Sequence, residues 1–304
     1  MIASVILLAP LVAALPDIDG IDDVCSTTAA IVLQASRNEA REDLLVGYAN
    51  CINFVEEDDQ EECLDEILGD YADTLEEVAA QFEARLALCA LLGEDAYDPD
   101  PDEDDFVRGV DNRYLPWIPG STWTYEKRTD EGLEVIVITV LDETIVIDEV
   151  ECVVVRDTVT LDGELVEDTR DYYAQDREGD VWYFGEISIN YEDGEIADLD
   201  GSWEAGEEFA KPGIVMFDEP EIGTTYRQEF LIDEAEDAAT ILADGLVITV
   251  RAGTFTDCLQ TEDFTPLEPE ALEYKFYAPG VGLVLETDPR SGEMLELVSF
   301  VAGG

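Results

Sequence analysis

Carboxylates are the acid-base groups that this chain carries in number, with 75 aspartate and glutamate residues and no histidine. The lack of histidine excludes Ser-His-Asp and Cys-His catalysis, histidine-ligated zinc and most pH switching near neutrality. Two carboxylates can hydrolyse a glycoside when a cleft holds them at a set separation. Because no pair is marked by the sequence, we expect a protein that is not an enzyme, with a carboxylate-based hydrolase as an alternative.

Alternating aspartates suggest calcium as the one candidate cofactor. Calcium takes six to eight oxygen ligands, and a loop of alternating carboxylates can supply several of them. Neither stretch completes a known calcium loop, so a solvated acidic segment is the alternative for both. The candidate ligands are Asp98, Asp100, Asp102 and Asp104 in one stretch, and Asp17, Asp19 and Asp22 in the other.

Aromatic residues concentrate in the middle of the chain. Tyr173, Trp182, Phe184 and Trp203 are candidate ligand-binding residues, since aromatic rings can stack on sugar faces or line an apolar trough. The alternative is that they are core residues of two adjacent strands, because inward positions of a strand recur with period two.

Six cysteines occur without a CxxC motif, which favours disulfides in an oxidising compartment over thiolate metal or redox sites. Cys25 and Cys51 are 26 residues apart, as are Cys63 and Cys89. Two helices folded back on each other would therefore pair Cys51 with Cys63 and Cys25 with Cys89. The remaining two, Cys152 and Cys258, are predicted to join two strands.

The segments between these cysteines have helical periodicity. Ser26 can cap the first helix, and the second has apolar residues at i, i+3 and i+4 from Leu64 to Cys89. An acidic turn separates the helices, and Gly93 is a candidate C-cap. We predict a helical hairpin over 17–95, either as a stalk for assembly or as a subdomain packed on the rest of the chain.

The first sixteen residues include an uncharged apolar run, Ile2–Leu15. Its length is typical of a signal peptide and is short for a membrane span, although it contains no Lys or Arg. The alternatives are a strand donated to a second copy of the chain, which would make the protein its own partner, and a strand buried within the chain. We expect no stable membrane insertion.

An acidic Asp/Pro linker is predicted over 96–111 and an antiparallel β-domain over 112–304. Prolines 99 and 101 prevent a helix in the linker. Beyond it, runs of period two follow one another at short intervals, and Asp162-Gly163 and Asp193-Gly194 are hairpin-turn signals. A short helix is predicted over 234–243. The fold class is α+β: a disulfide-clipped helical hairpin followed by a curved antiparallel sheet, as a half-barrel or a sandwich.

The charge is extreme, with 15 lysine and arginine residues and a formal net charge of −60. Such a surface repels itself unless salt screens it, which indicates a saline habitat. Nucleic acids and anionic membranes are excluded as partners, because no basic patch can release their counterions. Together with the cysteines and the apolar run, this composition predicts an extracellular or cell-surface protein.

Three blocks of the β-domain carry a family resemblance: Leu115–Tyr125, Asp171–Gly185 and Lys275–Val284. In order and content they resemble a broad group of uncharacterised bacterial exported proteins and lipoproteins, similar in part to half-barrel lipoprotein carriers. The resemblance covers about 112–300 and implies a curved antiparallel sheet in an exported bacterial protein. It implies no catalytic residues. No lipobox cysteine follows the apolar run, which argues against a lipid anchor.

Three functions follow from these features. The first expectation is a secreted, non-catalytic structural protein, with self-assembly into fibres through the apolar arm. The second is a binding module that holds a lipid or glycan in the curved sheet. The third is the carboxylate-based hydrolase.

Overall fold

The computed structural model describes residues 21–54, 56 and 59–304, and it begins with two long helices. Helix α1 spans Val24–Phe54 and helix α2 spans Gln60–Leu92. They run antiparallel, and the predicted disulfides are confirmed. The Cα–Cα distances are 5.7 Å for Cys25–Cys89 and 5.8 Å for Cys51–Cys63. Helix α2 ends where Gly93, at φ 97°, donates its N–H to the Cys89 carbonyl, a conformation that favours glycine.

The second part of the chain is an antiparallel sheet of sixteen strands. A short 3-10 turn, Glu103–Asp105, precedes it. The strands are β1 Phe106–Val107, β2 Thr122–Arg128, β3 Leu133–Ile147, β4 Val150–Leu161, β5 Glu164–Asp176, β6 Val181–Glu192, β7 Glu195–Asp198, β8 Trp203–Glu204, β9 Lys211–Met216, β10 Thr225–Arg227, β11 Glu229–Phe230, β12 Ala238–Val250, β13 Gly253–Phe264, β14 Leu272–Ala278, β15 Gly282–Thr287 and β16 Met294–Val301.

The sheet curves until its shape is nearly that of a barrel. Along the main path the strand order is β10-β12-β13-β14-β15-β16-β2-β3-β4-β5-β6-β9-β11. Most strands that are neighbours in the sheet are also consecutive in sequence. This is expected for period-two runs that are separated by tight turns. Both predicted Asp-Gly turns have positive φ at each central residue, the geometry that matches the twist of a hairpin.

The main hydrophobic core lies inside the curve. It includes Trp123 and Tyr125, which are almost fully buried, together with residues from strands around the whole path. Trp123 Nε1 donates to the Val281 carbonyl at 2.7 Å, and the Tyr125 hydroxyl donates to the Leu283 carbonyl at 2.9 Å. The first and the last blocks of the family resemblance therefore contact each other.

A second core covers the outer face of β4–β6. Phe184 is buried there with Ala205 and Ala210 of the segment before β9. This segment lies so close that a Cβ on Gly185 would stand 2.4 Å from the Trp203 carbonyl oxygen, so only glycine fits at that position. The strands β4–β6 are therefore buried on both faces.

One predicted element differs from the structure. Residues 234–243 form no helix, since β12 begins at Ala238 and pairs with β10 on one side and β13 on the other. Hydrogen bonds from both neighbours outweigh the helix propensity of its alanines. Within the predicted linker, β1 pairs with β5 of the sheet.

The two disulfides suggest an oxidising, extracellular environment. Within the described part of the chain, no helix is both long and apolar enough to cross a membrane.

Candidate functional site

A pocket of about 290 Å³ lies where the base of the helical hairpin meets the sheet. We call it the junction pocket. Its walls come from the beginning of α1, the end of α2, the first linker residues and the region from β10 to β12. The lining residues include Val24, Cys25, Thr28, Ala29, Val32, Arg85, Cys89, Leu92, Tyr97, Arg227, Phe230, Ile232 and Glu236.

Polar contacts fix the hairpin against the sheet beside this pocket. Arg85 Nη2 donates to Glu236 Oε1 at 2.7 Å and Arg85 Nε donates to Glu236 Oε2 at 2.9 Å. Arg85 Nη2 also lies 3.1 Å from Asp233 Oδ1. The Gln81 side chain donates to the Leu267 carbonyl, and the Tyr97 hydroxyl donates to the Pro212 carbonyl. The base of the hairpin and the start of the linker are thus both held to the sheet.

Arg85 is a buried cation whose charge is balanced. Its exposure is 6%, and that of Glu236 is 3%. Burial by itself lowers the pKa of the arginine, but the hydrogen bonds that it donates to Glu236 and Asp233, together with their charges, outweigh burial, so the pKa is raised overall. The bidentate geometry is the strong form of this interaction.

Arg227 is a second buried cation in the same pocket, at 8% exposure, and its surroundings differ. Its guanidinium carbon lies 4.5 Å from the ring centroid of Phe230 and 5.6 Å from that of Tyr97. Its Nη1 is buried and has no hydrogen-bond partner among the described residues. Burial lowers the pKa of Arg227, and the charge of Glu236 offsets only part of that effect.

The remaining electrostatics of the junction pocket are simple. Burial raises the pKa of Tyr97 to about 12, although Arg227 opposes the shift, so this phenol is neutral at ordinary pH. The aliphatic side chains Val32, Leu92 and Ile232 complete the walls. An apolar pocket with a few fixed polar groups is the usual form of a small-molecule site. The arrangement can bind an apolar body and offer it one cationic contact.

The sequence analysis did not single out these arginines. A signal for Arg85 exists, since it lies three residues after Phe82 and four before Cys89, on the apolar face of α2. A charge at such a position needs a buried partner. Arg227 carries no such signal, because its burial depends on a linker residue, Tyr97, that is distant in sequence.

The four predicted aromatic ligand residues do not share one open surface. Tyr173 stacks on Tyr183 with ring centroids 4.8 Å apart. Trp182 and Phe184 contact Phe106 on the opposite face of the sheet. Phe184 and Trp203 are both buried. These positions fit the alternative given above, in which the aromatic rings are core residues.

The calcium prediction gains no support from the described residues. They contain no group of three or more His, Cys, Asp or Glu side chains that could hold a metal ion. Asp98 instead pairs with Lys211 Nζ at 2.5 Å, and Asp102 accepts from the Asp104 N–H at 2.9 Å. The side chains of Asp100 and Asp22 are exposed. The candidates Asp17 and Asp19 lie outside the described residues.

The predicted Cys152–Cys258 disulfide is wrong, since both cysteines are free and buried. Cys152 on β4 belongs to the outer core and Cys258 on β13 to the inner one. Their strands are six positions apart in the sheet order, and the two side chains belong to different cores. The two sulfur atoms therefore do not meet. Burial raises the pKa of Cys152 to about 12, which keeps it an unreactive thiol.

Thiol titration checks this correction. Without a reductant, we expect dithionitrobenzoate to detect two thiols per chain in denatured protein. The native protein should react far more slowly, because both cysteines are buried. Cys152→Ala should reduce the denatured count to one. A count of zero in the denatured wild-type protein would mean that the two cysteines are bonded after all.

Buried carboxyls inside the sheet were also missed. Asp171 and Glu186 are cross-strand partners on β5 and β6. Asp157 on β4 points to the same face, since it follows the inner-core residue Val155 by two positions. Burial first, and then the neighbouring carboxylates, raise the pKa to about 8 for Asp157, about 7 for Asp171 and about 9 for Glu186. Asp157 and Glu186 are therefore largely protonated at neutral pH, and Asp171 is about half protonated.

Comparison with known proteins gives no relative for this arrangement: the chain matches no family model, no curated protein and no solved structure.

Proposed function

We propose that this protein is a secreted binding protein that holds a small apolar ligand in the junction pocket. The observation that carries the proposal is the pocket itself, which lies between two parts of the fold and has mostly apolar walls beside two buried arginines. Sites for small molecules occur preferentially at such junctions. The proposal keeps the binding module expected from the sequence, moves its site away from the concave face of the sheet, and favours a lipid-like ligand over a glycan.

The proposed setting is the outside of a bacterial cell in a saline medium. The two disulfides support an oxidising compartment. A net charge of −60 is tolerated best where salt screens it. The expected fibre-forming subunit depends on residues 1–16, which lie outside the described residues, so it stays a prediction. The hydrolase alternative also stays a prediction, without a supporting site.

A neutral apolar dye, N-phenyl-1-naphthylamine, tests the proposed site in 1 M NaCl. We expect its fluorescence to rise on binding to the full chain. Ala96 lines the pocket and is exposed, so Ala96→Trp should block the pocket without disturbing the core. We expect the dye affinity of this variant to fall by about tenfold or more, since one displaced apolar ring carries that much binding free energy.

Ala90→Trp is the matched control, because Ala90 is exposed on α2 and is not among the lining residues. It should bind the dye as the wild-type protein does. Absence of dye binding to the wild-type chain would overturn the proposal. So would equal affinity of the two tryptophan variants, because the dye would then bind elsewhere.

A further inference from the structure

Two buried arginines border the junction pocket, and only one of them has its counter-ions. Arg85 lies in a bidentate pair with Glu236 and also contacts Asp233. Arg227 takes part in none of the ion pairs found in the described part of the chain, and its Nη1 has no hydrogen-bond partner there. The described structure therefore pairs one cation with carboxylates and leaves the other with unused donor capacity.

An arginine cannot escape this situation by losing its proton, because its pKa stays far above neutrality in proteins. Burying a charge without a partner is costly, and the contacts of Arg227 with the rings of Tyr97 and Phe230 offset only part of that cost. Unsatisfied buried groups are rare in native proteins and commonly indicate a function. An anion would supply Arg227 with both the missing hydrogen-bond acceptor and the opposite charge.

We infer that the ligand of the junction pocket is an amphipathic monoanion: its carboxylate head pairs with the Arg227 guanidinium, and its apolar body packs against Val32, Leu92 and Ile232. This inference rests on the proposed function and specifies its ligand class. Arg227 lines the pocket at 8% exposure, so the head group meets a desolvated cation. Charge-assisted hydrogen bonds are strongest in such surroundings.

The other charges of the pocket limit the head group to one negative charge. Glu236 and Asp233 together carry two negative charges against the single positive charge of Arg85, and the exposed Asp95 lies at the pocket wall. A dianion such as a phosphate monoester would bring a second charge close to these carboxylates. The volume of about 290 Å³ is near the lower end of the range of small-molecule pockets, about 300–1,000 Å³. A medium-length alkyl chain is the matching body.

Three ligands with one alkyl chain and different heads test the inference: decanoate, decanol and decyltrimethylammonium. Their affinities for the full chain are measured by isothermal titration calorimetry in 1 M NaCl. We expect decanoate to bind about tenfold more tightly than decanol, since one charge-assisted hydrogen bond separates them. The ammonium ligand should bind more weakly than decanol. The tenfold preference for decanoate should decrease when the salt is diluted, because the net charge of −60 then repels the anion.

Arg227→Gln removes the cation and is expected to abolish the tenfold preference while decanol still binds. Arg108→Gln is the matched control, since it makes the same change of net charge at a side chain that is 91% exposed, and it should keep the preference. The melting temperature of Arg227→Gln should equal or exceed that of the wild-type protein, because an unpaired buried charge has been removed. If this variant does not fold, the affinities of the wild-type protein for decanoate, decanol and decyltrimethylammonium test the inference by themselves.

The outcomes of these experiments distinguish a wrong ligand class from a wrong function. Equal binding of decanoate and decanol by the wild-type chain would overturn the anionic head and leave the apolar site in place. Tighter binding of the ammonium ligand would overturn the anionic head as well. If the neutral dye did not bind, the proposed function itself would be wrong. If the dye bound and none of the three ligands did, the inferred ligand class would be wrong.

Discussion

Replacement of Arg85 by methionine is expected to lower the free energy of unfolding by about 3–5 kcal/mol, the usual effect of removing one partner of a buried ion pair. Methionine fills the space of the arginine stem, so lost packing contributes little. The loss arises because Glu236, at 3% exposure, would keep a buried charge without its bidentate partner. The hairpin would also lose its principal polar contact with the sheet.

Urea unfolding monitored both by helical circular dichroism and by tryptophan fluorescence measures this loss, since the four tryptophans lie outside the hairpin. The double variant Arg85→Met/Glu236→Leu should recover most of the stability, because it removes both charges. Arg41→Met is the control, as Arg41 is exposed on α1, and it should change the stability by less than about 0.5 kcal/mol. A loss below about 1 kcal/mol in Arg85→Met would show that solvent reaches this pair.

Stability should fall steadily as the pH rises from about 4 to about 9. The carboxyl groups inside the sheet have raised pKa values in the folded protein, from about 7 for Asp171 to about 9 for Glu186. In the unfolded chain their pKa values are near 4. Between the two values the unfolded chain has lost the proton and the folded protein still holds it, so rising pH favours unfolding. Each such group contributes about 1.4 kcal/mol per pH unit within its window.

The charges facing this cluster do not cancel the effect. Glu229 on β11 has a pKa raised to about 8 by burial and by Asp237. Lys275 on β14 is shared among the carboxylates of Asp263, Glu273 and Glu286 at 3.4–3.9 Å. Glu286, one of these, still has a pKa raised to about 7, chiefly by burial. Arg156 lowers the pKa of Asp168. A carboxyl group with a lowered pKa changes the stability only below about pH 4, so it does not alter the expected fall in stability between about pH 4 and about pH 9.

Chemical unfolding at several pH values in 1 M NaCl measures the slope without the surface repulsion. Glu186→Gln, a neutral replacement of nearly the same shape, should raise the stability at pH 8 and flatten the profile. Asp142→Asn changes an exposed residue and should leave the profile as it is. If stability stayed constant or rose from pH 5 to pH 8, the interior carboxyl groups would have to be ionised in the folded protein.

Much of the architecture was predictable because it depends on local order along the chain. The equal spacing of Cys25–Cys51 and Cys63–Cys89 determines which cysteines meet when two helices fold back on each other, and both bonds form. Helical and period-two patterns distinguish the hairpin from the sheet. Asp162-Gly163 and Asp193-Gly194 form the predicted tight turns, since their residue types favour positive φ.

The predictions failed where the answer depends on residues that are far apart in sequence. Because four of the six cysteines form two pairs, Cys152 and Cys258 suggest a third pair. Both are free, since their strands are far apart in the sheet and their side chains belong to different cores. The alanines at the start of β12 favour a helix by their propensity, but backbone hydrogen bonds to two neighbouring strands hold them in the sheet.

The sequence by itself determined the fold class, the hairpin with its disulfides and the extreme charge, because periodicity, spacing and composition act through neighbours along the chain. Only the tertiary structure decided which charges are buried. Arg85 meets Glu236 and Arg227 meets Tyr97 across more than a hundred residues of chain. The low dielectric that makes the pairing of a charge decisive exists only once distant segments have packed together and excluded water.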